Sequence, residues 1–334
     1  MGGAGGALFH AIGLPLAWML GSVAACALAA ILGMPVATPR FVRPPMSALI
    51  GIILGTSVTV EILRQAPNWL LPIVLLPLFL LIGAAACIAY FRHVGGMDRR
   101  TAYFAGMPGG LVEMVILAEE QGTDERAVSL IHAMRVFLVV LLLPLMLGIL
   151  NGDAAAPAAP QSLATVAFGW EQAGWALFTM LAGSMLGHLL RLPVRYLLGP
   201  MIVSALVHAT GLTAFSLPAE VSAIAQVALG ATVGCRFRGV ELRFLGRTAL
   251  VSLGSVLLLL AITCGFSFAV STLSHYSFTA LLLAYSPGGL AEMSLIAFAL
   301  NVEVLFVFCL HIARVLIVAL GASLLFRFFD RTAR

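Results

Sequence analysis

Nine long apolar runs constrain this chain more than any other feature. A membrane-spanning helix needs about 20 apolar residues, and each run approaches or exceeds that length. Only 10% of the 334 residues are charged, against roughly 25% in soluble domains, so a soluble enzyme and a disordered chain are both excluded. The runs predict an all-α polytopic membrane protein of about nine spans, at residues 16–33, 45–61, 69–91, 126–150, 172–190, 196–211, 219–235, 248–272 and 303–326.

The charged and cysteine residues exclude several partners and cofactors. All 18 basic residues are arginines scattered along the chain, whereas nucleic-acid binding needs a clustered basic face. Five cysteines stand singly in apolar sequence without the spacing of a disulfide framework or a zinc site. We therefore expect no nucleic-acid partner, no metal and no cofactor.

An internal duplication divides the chain into two halves. The segment Pro108–Arg135 aligns without a gap with Pro287–Arg314, 179 residues later, and 10 of 28 positions are identical. We predict a first repeat over residues 1–150, a linker over 151–161 and a second repeat over 162–334. The second repeat opens with a helix to which only residues 1–12 correspond in the first, so the first helix is expected to be truncated.

Two further apolar segments, residues 101–122 and 277–300, are interrupted in the middle by Pro-Gly-Gly. Proline and glycine both weaken a helix, so each segment is either a broken span or a re-entrant hairpin. Cytoplasmic loops attract arginine, and this favours the hairpins. With re-entrant hairpins, 15 loop arginines share one side and only Arg64 lies on the other; with spans they divide 8 to 8. The hairpin arrangement also makes the two repeats inverted, an architecture found in transporters.

Each Pro-Gly-Gly is followed by the same charged and titratable residues. A Glu lies one turn after the break, where free N–H groups and the helix dipole favour negative charge. A His and an Arg then lie three residues apart, on one helix face. Either the Glu neutralises the Arg in a buried structural pair, or the set forms a central solute site. The candidate substrate-binding residues are Pro108, Gly109, Gly110, Glu113, His132, Arg135, Pro287, Gly288, Gly289, Glu292, His311 and Arg314.

With this doubled Pro-Gly-Gly-Leu-x-Glu-Met…His-x-x-Arg pattern, the chain resembles the bacterial AbrB family of integral membrane proteins. The resemblance covers nearly the whole chain and implies two copies of one membrane domain in the bacterial inner (cytoplasmic) membrane. That family also carries the labels ammonia monooxygenase and regulator of gene expression. A monooxygenase needs clustered metal ligands, and the seven histidines here are dispersed, so no enzymatic activity is expected.

These patterns predict a secondary transporter of a small anionic or polar solute, with no catalytic residues. Its site would lie near the bilayer midplane between the two Pro-Gly-Gly half-helices, coupled to protons or sodium ions. No ATP-binding motif is present. The alternative is a membrane protein that affects gene regulation without transport. Besides the solute and its coupling ion, the expected partner is the lipid bilayer. The sequence is compatible with both a monomer and a homo-oligomer.

Overall fold

The computed structural model describes residues 1–14, 16–150, 169–192, 194–213, 215–240 and 242–331. Throughout these ranges the regular structure is helical, and no strand occurs in them. In the first half the helices are α1 (Gly2–Ala11), α2 (Ala17–Ile31), α3 (Arg43–Thr56), α4 (Val60–Arg64), α5 (Leu70–His93), α6 (Arg99–Gly106), α7 (Leu111–Glu120) and α8 (Glu125–Leu150). In the second half they are α9 (Trp170–Leu189), α10 (Arg195–Ala209), α11 (Ala219–Gly234), α12 (Leu242–Ser271), α13 (Phe278–Tyr285), α14 (Leu290–Ala299) and α15 (Val304–Arg331).

The order of the elements recurs between the two halves. The bounds of α6 and α7 reappear, shifted by 179 residues, as those of α13 and α14, and α2 reappears in α10 with a shift of 178. Backbone conformation recurs as well. Gly122 and Asn301, which follow α7 and α14, both have positive φ, at 64° and 54°. Asparagine is one of the few side chains that adopts this left-handed conformation readily.

Four helices are long and apolar enough to cross a membrane among the residues described. They lie at Ala66–His93, Glu125–Ile149, Gly246–Ser271 and Val304–Ala322. The prediction of about nine spans is therefore not confirmed, although every predicted span contains a helix. Helices α2, α3, α10 and α11 have only 14 to 16 residues, or about 21 to 24 Å at 1.5 Å per residue. That length is shorter than a hydrocarbon core of about 30 Å.

The chain divides into two compact units, and each takes segments from both sequence halves. The first comprises Met1–Ala66, Leu141–Gly239 and Ser294–Leu305; the second comprises Pro67–Val140, Val240–Met293 and Phe306–Arg334. The predicted repeats of 1–150 and 162–334 stay a prediction, and the linker 151–161 lies outside the described residues. In both units, elements of one half pack on elements of the other.

In the first unit, close contacts at glycines join the short helices. A Cβ on Gly51 of α3 would overlap the carbonyl oxygen of Leu197 in α10, and one on Gly55 would lie 2.6 Å from the carbonyl oxygen of Met201. The same relation holds between α11 and α2, where Gly234 would meet the carbonyl oxygen of Val23 at 2.6 Å. Small residues of this kind let apolar helices approach backbone to backbone.

In the second unit, α5 packs on α6 and α12 and leaves one face uncovered. Leu70, Val74, Leu78 and Leu81 are 50% to 66% exposed, and their spacing of three and four residues places them on one side of α5. A stripe of large apolar side chains along a helix of 24 residues is suited to lipid rather than water. The apolar helical chain thus fits a membrane protein.

Candidate functional site

The Pro-Gly-Gly motifs separate α6 from α7 and α13 from α14. The residue before a proline is restricted to extended backbone, and Met107 and Ser286 accordingly have ψ of 130° and 138°. Helix α7 then begins after Gly110, which provides no side-chain cap. The sequence prediction of broken helices at both motifs is confirmed.

In the first half, the two short helices form a hairpin. The backbone N of Asp124, four residues beyond the end of α7, lies 3.4 Å from Oγ1 of Thr101 in the first turn of α6. A straight helix would separate these residues by about 35 Å. The chain therefore reverses direction at Pro-Gly-Gly, so that the residues after α7 lie beside the beginning of α6.

In the second half, the corresponding hairpin returns in the same way. Tyr276 lies two residues before the first residue of α13, and Phe306 lies in the first turn of α15. Their rings stack with centroids 4.2 Å apart and an interplanar angle of 2°. The beginning of α13 is therefore next to the beginning of α15, and α14 lies between them in sequence. Both Pro-Gly-Gly motifs thus form the tips of helical hairpins.

Each hairpin tip is held by the Arg of its own half. Nη1 and Nη2 of Arg135 donate to the carbonyl oxygens of Met107 and Gly109, at 3.0 and 2.9 Å. Arg314 donates in the same way to Ser286 and Gly288, each at 2.6 Å. These carbonyls follow the C-termini of α6 and α13, where a helix leaves acceptors without partners and the dipole favours a cation.

This arrangement differs from the ion pair considered from the sequence. Arg135 and Arg314 are only 6% and 7% exposed, yet no carboxylate among the described side chains forms a salt bridge with either. An ion pair is present on the surface instead, between Arg64 and Glu61. Carbonyl dipoles rather than an acid thus accept the guanidinium hydrogen bonds, and the structural pair of Glu292 with Arg314 is absent from the described ranges.

Glu292 lies instead over the beginning of its own helix. A Cβ on Gly289 would overlap the Glu292 carboxylate, so the side chain turns back toward the N-terminus of α14. The positive end of the helix dipole favours a carboxylate there, and glycine at 289 leaves room for it. The side chain of Glu113, the corresponding residue in the first half, lies outside the described part of the chain.

His132 and His311 are both completely buried but use different ring nitrogens. Nε2 of His132 donates to the carbonyl oxygen of Phe104, at 2.9 Å. Nδ1 of His311 donates to the carbonyl oxygen of Val307, also at 2.9 Å, one turn earlier in its own helix. Nδ1 of His132 has no hydrogen-bond partner among the described residues, whereas the His311 ring also lies against the backbone of Ser286 at the second tip.

The tip of the first hairpin lies against the helix that carries the second arginine. A Cβ on Gly109 would be 2.9 Å from Cγ1 of Val318, one turn beyond Arg314 in α15. Pro108, Pro287 and Gly288 are buried, while Gly110 and Gly289 are partly exposed. The structure therefore brings the described candidate residues of both halves into one unit.

Sequence reasoning missed the residues that begin the hairpins and one residue at a tip. Asp98 and Ser277 cap α6 and α13 by accepting hydrogen bonds from the backbone N of Thr101 and Ala280; an Asp or Ser before each helix was a usable signal. Ser286, at the second tip, is completely buried and its hydroxyl has no partner in the described part of the chain. Met107 occupies the same place in the first tip and carried no polar signal.

Asp98 is exposed at the start of the first hairpin, and its pKa is shifted. Partial desolvation raises the pKa of this carboxyl, but hydrogen bonds from the side chain and backbone of Thr101 outweigh that effect and hold the pKa below its usual value. The ionised form is therefore the better helix cap. For metals, the described residues contain no group of three His, Cys, Asp or Glu side chains placed to hold an ion.

Comparison with known proteins identifies relatives over nearly the full chain. The family model described as "Transition state regulatory protein AbrB" matches residues 18–330. The Bacillus subtilis "Uncharacterized protein YhjN" is 30% identical over 94% of this chain and 88% of its own length. The Escherichia coli "Putative regulator AbrB" is 29% identical over 97% of this chain and 93% of its own length. No solved structure matches the chain.

Proposed function

This chain belongs to the AbrB family, and on that premise we propose that it is a secondary transporter of a small polar or anionic solute in the bacterial inner membrane. The solute site lies near the bilayer midplane, between the two Pro-Gly-Gly tips. The two hairpins enter the membrane from opposite faces, as members of inverted repeats. Movement of the solute is coupled to a proton or sodium gradient, and no catalytic step is involved.

The observation that carries this proposal is the position of the arginines along their helices. Arg135 and Arg314 are each ten residues beyond the first residue of α8 or α15, or about 15 Å along helices that are long enough to span. That is about half of a hydrocarbon core of roughly 30 Å. Because each Arg binds its hairpin tip, the interrupted backbone reaches the same depth.

Interrupted backbone and ionised groups at this depth indicate solute handling. Irregular backbone within a membrane is tolerated only where protein buries it or where it lines a water-filled cavity. Charged side chains there are costly and mark substrate or ion pathways. Broken half-helices at the midplane are a recurring feature of secondary transporters. Glu292, with Glu113 in the first half, is the group we assign to proton or sodium coupling.

A regulatory membrane protein without transport is the second candidate, and one observation favours it. The hydrogen bonds of both guanidinium groups go to backbone carbonyls, which is what a purely structural role requires. One relative is also named a regulator. In this case the hairpins would only stabilise the fold, and any effect on gene expression would be indirect.

Reconstitution into proteoliposomes separates the two candidates. We expect solute-dependent uptake driven by an imposed proton or sodium gradient, and loss of that coupling in Glu292→Gln with an unchanged melting temperature. The melting temperatures of Arg135→Ala and Arg314→Ala show whether the two arginines are needed for folding. A protein that melts cooperatively, yet moves no solute under any gradient while its arginine variants unfold, would support the regulatory candidate instead.

A further inference from the structure

The turn between α9 and α10 carries an arginine in a backbone conformation that glycine adopts most easily. Arg191 has a φ of 50°, in the left-handed region where a side chain crowds the backbone. Its backbone N–H donates to the carbonyl oxygen of His188 at 3.2 Å, and the N–H of Leu192 donates to that of Gly187 at 3.0 Å. This hydrogen-bond pattern ends a helix at a left-handed residue, which is usually glycine. The arginine is therefore placed there at a cost in backbone strain.

Other helix ends with the same hydrogen-bond pattern show what the backbone itself requires. The left-handed residue is a glycine after α1, α2, α7 and α10 and an asparagine after α14, namely Gly13, Gly33, Gly122, Gly211 and Asn301. The most informative of these is Gly13, because it lies 178 residues before Arg191 and ends the equivalent helix of the first half. Glycine thus satisfies this turn, and an arginine at position 191 indicates a role other than folding.

His188 joins Arg191 to a second exposed arginine, Arg195 in the first turn of α10. Nη1 of Arg195 donates to Nδ1 of His188 at 3.1 Å, while the carbonyl oxygen of His188 accepts the backbone hydrogen bond of Arg191. A Cβ on Gly187 would overlap the carbonyl oxygen of Arg195, so the end of α9 packs directly on the beginning of α10. His188, Arg191 and Arg195, all exposed, form a basic cluster at this end of the helix pair.

The polar groups of the basic cluster match a phosphate. Neither arginine forms a salt bridge with a carboxylate of the described residues, and arginine binds phosphate oxygens with two N–H groups at once. Because Nδ1 of His188 accepts from Arg195, the neutral ring carries its proton on Nε2 and can donate it. Glu171 lies in the first turn of α9, at the opposite end of that helix. The cluster therefore offers donors to an anion and no carboxylate to an ammonium group.

An exposed apolar stripe on α9 leads to the basic cluster. Leu181, Met185 and Leu189 are 60% to 73% exposed, and their spacing of four residues places them on one face of the helix. This apolar stripe extends over about 12 Å and ends in the same turn as His188. A cationic end joined to an apolar stripe is complementary to the headgroup and an acyl chain of one phospholipid. Basic residues at a membrane surface attract anionic lipids in particular.

We propose that the α9–α10 turn is a binding site for an anionic phospholipid, with the phosphate on the basic cluster and an acyl chain along the apolar stripe. This site goes beyond the proposed transport function and does not depend on it. The corresponding turn of the first half lacks the charge, because Gly13 and Ala17 take the places of the two arginines. There His10 stacks on the ring of Trp18, with centroids 5.5 Å apart.

The turn of the first half provides matched variants for a test. Arg191→Gly and Arg195→Ala copy Gly13 and Ala17, which form the equivalent turn in the same chain. Arg92→Gln is the control, since Arg92 is an exposed arginine at the end of α5 in the other compact unit. Without added lipid, Arg191→Gly should raise the melting temperature by about 2 °C, because the left-handed strain is removed. Arg92→Gln should leave the melting temperature unchanged.

Native mass spectrometry of the full chain, purified in detergent, measures lipid binding. We expect dioleoylphosphatidylglycerol to bind more tightly than dioleoylphosphatidylcholine, which has no net charge. Glycerol phosphate, which has the anionic group without acyl chains, should not displace phosphatidylglycerol. Each arginine variant should weaken phosphatidylglycerol binding about fivefold and the double variant about 25-fold, while Arg92→Gln should bind as the parent does.

Each other result overturns a specific part of the proposal. Equal affinity for the two lipids would refute the anionic class. Displacement by glycerol phosphate would mean that the ligand is a free phosphate compound and not a lipid. Phosphatidylglycerol binding that is unchanged in the double variant would show that the basic cluster is not the site. A lower melting temperature of Arg191→Gly without lipid would mean that the fold itself requires the arginine, and would remove the reason for assigning it to a ligand.

Discussion

At the residue scale, Arg135 and Arg314 illustrate why a buried cation in this chain is an arginine. Each guanidinium donates from two nitrogens to two carbonyls, on either side of a proline that interrupts the helix. A lysine ammonium carries the same charge but lacks the planar fork that reaches two acceptors at once. The fork therefore fixes the geometry of the tip, and charge alone does not.

Replacing either arginine by lysine tests this difference. We expect Arg135→Lys and Arg314→Lys each to destabilise the protein by about 1 to 3 kcal/mol, because one buried carbonyl loses its donor. Arg92→Lys is the control, since Arg92 is exposed at the end of α5. Thermal unfolding in detergent, followed by circular dichroism, measures the effect. Lysine variants at 135 and 314 that melt with the parent would show that the fork contributes nothing.

The sequence identified these residues but not their partners. The recurrence of His-x-x-Arg after each Pro-Gly-Gly located the buried polar groups, because polar side chains are rare in this chain. The partner of Arg314 could not be derived, since backbone carbonyls have no sequence signature whereas Glu292 is a conspicuous candidate. Ser286 was missed for a related reason: one hydroxyl in an apolar run gives no periodic signal.

At the element scale, the hairpins consist of helices too short to be stable alone. Helices α6 and α13 have eight residues each, below the roughly 12 to 15 needed for an isolated helix. The stability of α6 and α13 therefore depends on a side-chain cap at the first turn, on the arginine that binds the carbonyls after the last turn, and on burial of the helix between them. The caps differ chemically, because Asp98 ionises and Ser277 does not.

Stability should therefore depend on pH through the first hairpin. The folded pKa of Asp98 is below its unfolded value, so its stabilisation is present above the unfolded pKa of about 3.9 and is lost as pH falls through the folded pKa. Asp98→Ser, which copies Ser277, should remove this dependence, and Asp98→Ala should cost about 1 kcal/mol at neutral pH. Melting temperatures between about pH 3 and pH 6 provide the comparison. If the melting temperatures of the parent and of Asp98→Ser changed with pH in the same way, the assigned role of Asp98 ionisation would be contradicted.

Helix positions were predictable at this scale, and helix lengths were not. Apolar runs located every long helix because lipid-facing and core-facing residues are both apolar. The same property hides where a helix ends. The apolar runs at 196–211 and 219–235 extend past the last helical residues, Ala209 and Gly234. Because a run can be longer than the helix it contains, counting apolar runs overestimates the number of membrane spans. Pro-Gly-Gly, in contrast, marked the breaks in α6–α7 and α13–α14 clearly.

At the scale of the whole molecule, each compact unit combines both halves of the sequence. Short helices of the two halves pair through glycines in one unit, and both arginine-bound Pro-Gly-Gly tips lie in the other. The helices of each half therefore find packing partners in the other half. Duplication was visible in the sequence, but the exchange of partners between halves depends on tertiary packing alone.

The most direct test of the account is the side of the membrane from which each hairpin is reached. Gln121 and Asn301 are exposed residues where α7 and α14 end, and each is replaced by cysteine in a chain without the five native cysteines. Labelling with a membrane-impermeant maleimide in intact and permeabilised spheroplasts gives the side of each. The account predicts that Gln121→Cys and Asn301→Cys are labelled from opposite faces; labelling of both from one face would contradict it.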